Sequence, residues 1–161
     1  MAPDWGNFAL ITGSAAGALT GLLFVAVSLN RERITKHPGL RGQAGQTLVL
    51  FMIPLLLSVL LVLPGSSATA LGAGLIVLAV VAAVALALIE RVKKEPAGDG
   101  SEDRLARILD KASPNMMSVV LILVAGCLQC AGDDGLYWAA ASSVLALVGG
   151  VINAWLFLTR S

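Results

Sequence analysis

Long apolar runs without a single charge, separated by brief polar breaks, organise this chain. The first covers 8–29 and meets Asn30 and Arg31; the second, 47–63, carries Pro54 and stops at Pro64-Gly65; the third, 69–89, stops at Glu90 and Arg91. Each is close to the ~20 residues that a helix needs to cross a hydrocarbon core of roughly 30 Å. A helix in water must keep one polar face, and these runs keep none, so lipid is their expected solvent. Pro54 removes one backbone hydrogen bond and predicts a kink in the second helix.

The apolar stretch after Asn115 is long enough for two crossings, and Asp133-Asp134-Gly135 sits between its halves. An aspartate at mid-membrane costs about 2.5–3.5 kcal/mol even on insertion-based scales, so the chain is expected to surface there. That places a fourth span over 115–131 and a fifth over 136–158. The stretch 90–114 is the one sizeable polar piece. Pro96-Ala97-Gly98-Asp99-Gly100 is loop chemistry, Ser101 is a candidate N-cap, and Leu105, Ile108, Leu109 and Ala112 recur at helical spacing opposite Arg104, Arg107 and Lys111. The expected fold is an all-α integral membrane protein, one membrane domain over 1–161: a bundle of five transmembrane helices with a short cytoplasmic amphipathic helix in the 90–114 loop.

Composition strengthens this reading. The chain is 57% hydrophobic and 13% charged, with a mean hydropathy of +0.86, whereas a soluble domain carries about 25% charged residues. The net charge of +1 hides a sharp segregation. Arg31, Arg33, Lys36 and Arg41 lie between the first two spans; Arg91, Lys93, Lys94, Arg104, Arg107 and Lys111 lie between the third and fourth; Arg160 follows the fifth. With five crossings all of them fall on one side, which the positive-inside rule makes cytoplasmic, so the N-terminus is expected outside and the C-terminus inside. Asp4, Asp133 and Asp134 then share the outer face, with Trp5, Tyr137 and Trp138 at its interface and Trp155 near the inner one. The opening residues lack the basic stretch of a secretory signal, so the first span is expected to be retained.

The chemical motifs are sparse. Gly13, Gly17 and Gly21 form a double GxxxG in the first span, with Ala16, Thr20, Phe24 and Ser28 extending or flanking the stripe. Small residues at this spacing let two helix backbones approach closely. The stripe therefore meets either its own copy in a homo-oligomer, beside a pore, or another span of the same chain. Weaker versions are Ala79, Ala83 and Ala87 in the third span and Ser142, Ala146 and Gly150 in the fifth. Asn153 reads as interhelical glue or, with Ser28 and Asn30 at the same depth, as a gating amide.

Cys127 and Cys130 share a helix face near the outer end of the fourth span. Their place at a helix C-terminus beside two aspartates disfavours a reactive thiolate, so they read as buried small residues. His37 is the only histidine and lies in a basic loop, which removes His-based metal sites and Ser-His pairs from the bilayer. No span interior carries Asp, Glu, Lys, Arg or His, the residues that pumps and ion-coupled carriers use. Neither an enzyme, a cofactor, a metal nor a nucleic-acid partner is expected.

The run Thr20-Gly21-Leu22-Leu23-Phe24-Val25-Ala26-Val27-Ser28-Leu29-Asn30, with Asn153-Ala154-Trp155, resembles small multi-pass bacterial membrane proteins of unassigned function, some loosely labelled modulators of a membrane-bound protease. The resemblance implies a bacterial cytoplasmic (inner) membrane. Two functions remain open. One is a homo-oligomeric, cation-permeable channel, with Gly13, Gly17, Thr20, Gly21, Phe24, Ser28, Asn30 and Asn153 at packing or pore-proximal positions. The other is a non-catalytic accessory or assembly factor that binds another membrane protein while its basic loops meet anionic lipid.

Overall fold

The computed structural model describes residues 5–36, 38–64, 67–93 and 114–159. Among them lie six helices: α1 (Trp5–Leu29), α2 (Arg31–Lys36), α3 (Pro38–Val62), α4 (Ala68–Lys93), α5 (Pro114–Ala131) and α6 (Leu136–Thr159). α1, α3, α4 and α6 contain windows long and apolar enough to cross a membrane, over Trp5–Leu29, Leu40–Val62, Ala68–Arg91 and Leu136–Leu156. The apolar part of α5, Asn115–Ala131, is shorter. The amphipathic helix expected within 90–114 lies outside the described residues.

α3, α4, α5 and α6 form a ring in which each packs on the next, and α6 closes it on α3; α1 leans on the outside of α3 and touches α6 lightly. The interior is filled with Leu50, Ile53, Leu57, Leu75, Leu86, Ile122 and Ala146, all essentially without exposed surface. The outside is equally apolar. Leu10, Ile11, Leu22, Leu29 and Trp155 are each about two-thirds exposed or more, a surface that water would penalise and lipid would not.

Local chemistry sets the helix ends. Pro38 and Pro114 occupy first helical positions, where a missing N–H goes unused. Ser67 caps α4, its Oγ accepting from the Ala70 N–H at 3.2 Å. α5 ends in a Schellman turn: Gly132 takes φ +90°, its N–H donates to the Gln129 carbonyl at 3.4 Å, and the Asp133 N–H donates to the Leu128 carbonyl at 3.0 Å. Asp133 and Asp134 emerge exposed, as their charge requires.

α3 begins nine residues before the second expected span. Gly42, Gln43, Gly45 and Gln46 interrupt the apolar run without breaking the helix, because Thr47 is buried and donates to the Gln43 carbonyl at 2.9 Å while Gly45 lies against Ile89 of α4. The helix also continues through Pro54, where Ser58 donates to the proline carbonyl at 2.5 Å.

The two ends of the bundle differ in charge. Trp5 stacks edge-on against Tyr137, ring centroids 5.2 Å apart, so α1 and α6 start at the same end as Asp133 and Asp134. The Gly45–Ile89 approach brings the beginning of α3 beside the end of α4, so Arg41 and Arg91 share the opposite end.

Candidate assembly face on the first helix

α1 presents two unlike faces. Ala9, Thr12, Ala16, Thr20 and Leu23 recur at steps of three and four and are buried. Their hydroxyls do not reach across: Thr12 donates to the Phe8 carbonyl at 2.7 Å and Thr20 to the Ala16 carbonyl at 2.8 Å, the way a hydroxyl satisfies itself where no water is present.

The glycine stripe splits between these faces. A Cβ on Gly13 would stand 2.7 Å from Ser58 Oγ and 2.8 Å from Ser58 Cβ, so this glycine lets α1 approach α3. Gly17 and Gly21 have nothing within 4 Å of where a Cβ would be, and both are exposed. Geometry explains the split, because a four-residue step overshoots one helical turn by about 40°. A stripe that starts against Ser58 has therefore rotated outward two steps later. Ala16 and Thr20 follow Gly13 inward, whereas Phe24 and Ser28 point out with Gly17 and Gly21. Ser14 joins them, so Ser14, Gly17, Gly21 and Ser28 line one exposed face of small side chains. Gly17 and Gly21 expose bare backbone along the middle of that face.

Ser28 and Asn30 bond locally. Ser28 donates to the Val25 carbonyl at 2.8 Å and Asn30 Nδ2 to the Ala26 carbonyl at 3.0 Å, both within their own chain turn. Asn153 is half-buried on α6. Cys127 and Cys130 are free thiols, and both are exposed rather than buried. Among the described residues no three His, Cys, Asp or Glu side chains come together.

Among the described residues, close backbone contacts also occur away from the GxxxG row of α1. Gly72 of α4 and Gly126 of α5 face each other: a Cβ on Gly126 would be 3.0 Å from the Gly72 carbonyl oxygen and 2.8 Å from Ile76 Cγ1, and one on Gly72 would be 3.0 Å from the Gly126 carbonyl oxygen. Gly135 is pressed against the Ala125 carbonyl, which closes the α5–α6 hairpin, and its N–H donates to Gln129 Oε1 at 3.3 Å. Ser142, Ala146 and Gly150 are all buried, and Ser142 Oγ donates across the interface to the Ser118 carbonyl at 2.7 Å. In α4 the small-residue row is only partly used: Ala79 is buried, Ala83 half-buried and Ala87 exposed. The signal for the Gly72–Gly126 contact was present as glycines inside apolar helices, where a glycine costs helix stability and calls for a packing reason.

No protein family, curated protein or solved structure matches the chain.

Proposed function

We propose that this chain is a non-catalytic membrane protein that crosses the bilayer five times and assembles with copies of itself through the outward face of α1. One observation carries the reading: of three glycines at GxxxG spacing, Gly13 is consumed by α3, while among the described residues nothing lies within 4 Å of where a Cβ on Gly17 or Gly21 would be. A glycine in a helix interior costs about 1 kcal/mol relative to alanine. In lipid the return on that cost is close backbone packing, and for Gly17 and Gly21 a second copy would supply it.

The segregated charges support five crossings, with the arginine-bearing end in the cytoplasm. In intact cells a membrane-impermeant thiol reagent should label Asp133→Cys, and should reach Arg33→Cys only after lysis, in a background with Cys127 and Cys130 replaced. Labelling of both before lysis would remove the odd number of spans.

The channel reading takes a restricted form. Among the described residues the buried side chains of α3–α6 are mostly aliphatic, the hydroxyls of Thr47, Ser58, Ser142 and Ser143 among them donate to backbone carbonyls, and the threonine hydroxyls of α1 bond to their own helix. A cation path would have to run between copies, along Ser14, Gly17, Gly21 and Ser28.

In the same cysteine-free background, Gly21→Cys should form a disulfide-linked dimer on oxidation in native membranes, and Leu123→Cys, exposed on α5, should not. Equal crosslinking at both positions would mean random collision. Sodium or potassium flux through vesicles holding the crosslinked protein would favour the channel form; tight vesicles would favour pure assembly.

A further inference from the structure

We propose that the groove between α1 and α3 is a binding site for an anionic phospholipid, one acyl chain lying in the groove and the phosphate held at its mouth by Arg31 and Arg41. The site lies beside the Ser14–Gly17–Gly21 face and does not depend on self-assembly.

The groove is about 130 Å³ and is lined by Leu23, Phe24 and Val27 from α1 and by Ala44, Gly45 and Leu48 from α3. Its walls carry no charge. An apolar cleft of this kind gains nothing from water, and a stretch of one acyl chain would fill it.

Both walls end in an arginine. On α3, Arg41, Ala44, Gly45 and Leu48 follow at steps of three, one and three, so they occupy one stripe of the helix. On the opposite wall, Phe24, Val27 and Arg31 follow at steps of three and four. The helical phase carries through the single turn residue between α1 and α2, because the Asn30 N–H donates to the Ala26 carbonyl at 3.2 Å and the Ile34 N–H donates to the Asn30 carbonyl at 3.1 Å. Arg31 and Arg41 are exposed, one turn beyond the groove lining on their respective helices. A cleft for hydrocarbon with an arginine one helical turn beyond each wall matches a molecule with an apolar tail and an anionic head.

Charge also argues against a second copy as the occupant. A symmetric partner seated in the same groove would bring its own Arg31 and Arg41 to the same mouth, where like charges oppose each other.

The test uses the full chain reconstituted in vesicles of equal phosphatidylglycerol and phosphatidylcholine, with retained lipids read by native mass spectrometry. Wild type should retain phosphatidylglycerol in preference to phosphatidylcholine. Arg31→Gln and Arg41→Gln should each lower that preference about fivefold, the effect of one basic residue near an anionic surface. Arg91→Gln, at the same end of the bundle but off the groove, should leave it unchanged. Val27→Phe, which fills the groove, should remove retained lipid of both kinds without changing the helical content.

Equal retention of the two lipids overturns the proposal. So does a loss with Arg91→Gln as large as with Arg41→Gln, which would mean diffuse attraction to a basic end. A change in copy number with Val27→Phe while lipid is retained would assign the groove to a second chain. Should Val27→Phe misfold, the three exposed arginine substitutions decide the matter alone.

Discussion

Gly126→Ala is expected to destabilise the folded chain by about 1–2 kcal/mol, whereas Gly17→Ala should be neutral or stabilising by up to about 1 kcal/mol. Both substitutions add one methyl group in the interior of an apolar helix, and both gain the same helix propensity, about 1 kcal/mol. Their surroundings differ. At Gly126 the new carbon would lie 3.0 Å from the Gly72 carbonyl oxygen, 3.0 Å from the Ile76 backbone nitrogen and 2.8 Å from Ile76 Cγ1. Two of these are backbone atoms of α4, so relief requires the helices to separate, and overpacking of this kind costs about 1–3 kcal/mol. The upper part of that range applies, because α4 and α5 meet backbone to backbone at Gly72 and Gly126, and the loss outweighs the propensity gain. At Gly17 the new carbon meets nothing within 4 Å, and only the gain remains in the single chain. Reversible unfolding in mixed micelles, at a dilution that keeps the protein monomeric, measures both. A Gly126→Ala chain as stable as the parent would mean that α4 and α5 do not touch through their glycines.

Gly150→Ala should cost a comparable 1–2 kcal/mol by a different route. Here the obstacle is a side chain: a Cβ on Gly150 would press on the Phe51 ring, with Cδ1 at 2.8 Å and Cζ at 3.1 Å. An exposed ring would swing aside, but Phe51 is 1% exposed and is held by the α3–α6 contact. The clash therefore becomes strain between the two helices. Because the strain is localised in one ring, Phe51→Leu should relieve it. The double substitution is expected to be more stable than the sum of the single costs by about 1 kcal/mol or more, the coupling of residues in direct contact. Strictly additive costs would place the source of instability elsewhere.

Much of the architecture was readable because lipid imposes a simple rule on sequence. Charges must stay out, so Arg31 and the Asp133-Asp134 pair mark breaks between helices, whereas Glu90 and Arg91 mark the end of an apolar run but lie within α4, which continues to Lys93. The turn at Gly132 is legible for the same local reasons, since a glycine just past an apolar run is the usual way to end a helix. The start of α3 was not readable. Gly42, Gln43, Gly45 and Gln46 lower apolarity without ending the helix, and the packing that meets this stretch includes, against Gly45, Ile89, which lies 44 residues further along the chain.

The candidate site was harder to read than the spans. In water the buried side of a helix is marked by its apolar residues, but α1 is apolar all round, so periodicity carries no information about which side meets protein. Small residues are the remaining cue, and they mark close approach without naming the partner. The GxxxG row therefore held two roles in one string. Gly13 belongs to the fold through Ser58, and Gly17 and Gly21 are left over from it. Only the position of α3 separates the two roles, and that position depends on residues outside α1.

The separation gives the central claim its direct test, which is subunit counting by single-molecule photobleaching of the fluorescently tagged full chain in native-lipid nanodiscs. Wild type should contain two or more copies. Gly17→Leu should reduce this to one while leaving thermal stability within about 0.5 kcal/mol of the parent monomer, since the new side chain points into open space. Gly13→Leu should instead lower the stability of the chain itself through the clash with Ser58. A wild-type protein that counts as a single copy, or a Gly17→Leu protein that assembles as well as the parent, would contradict an intermolecular role for the outward face of α1.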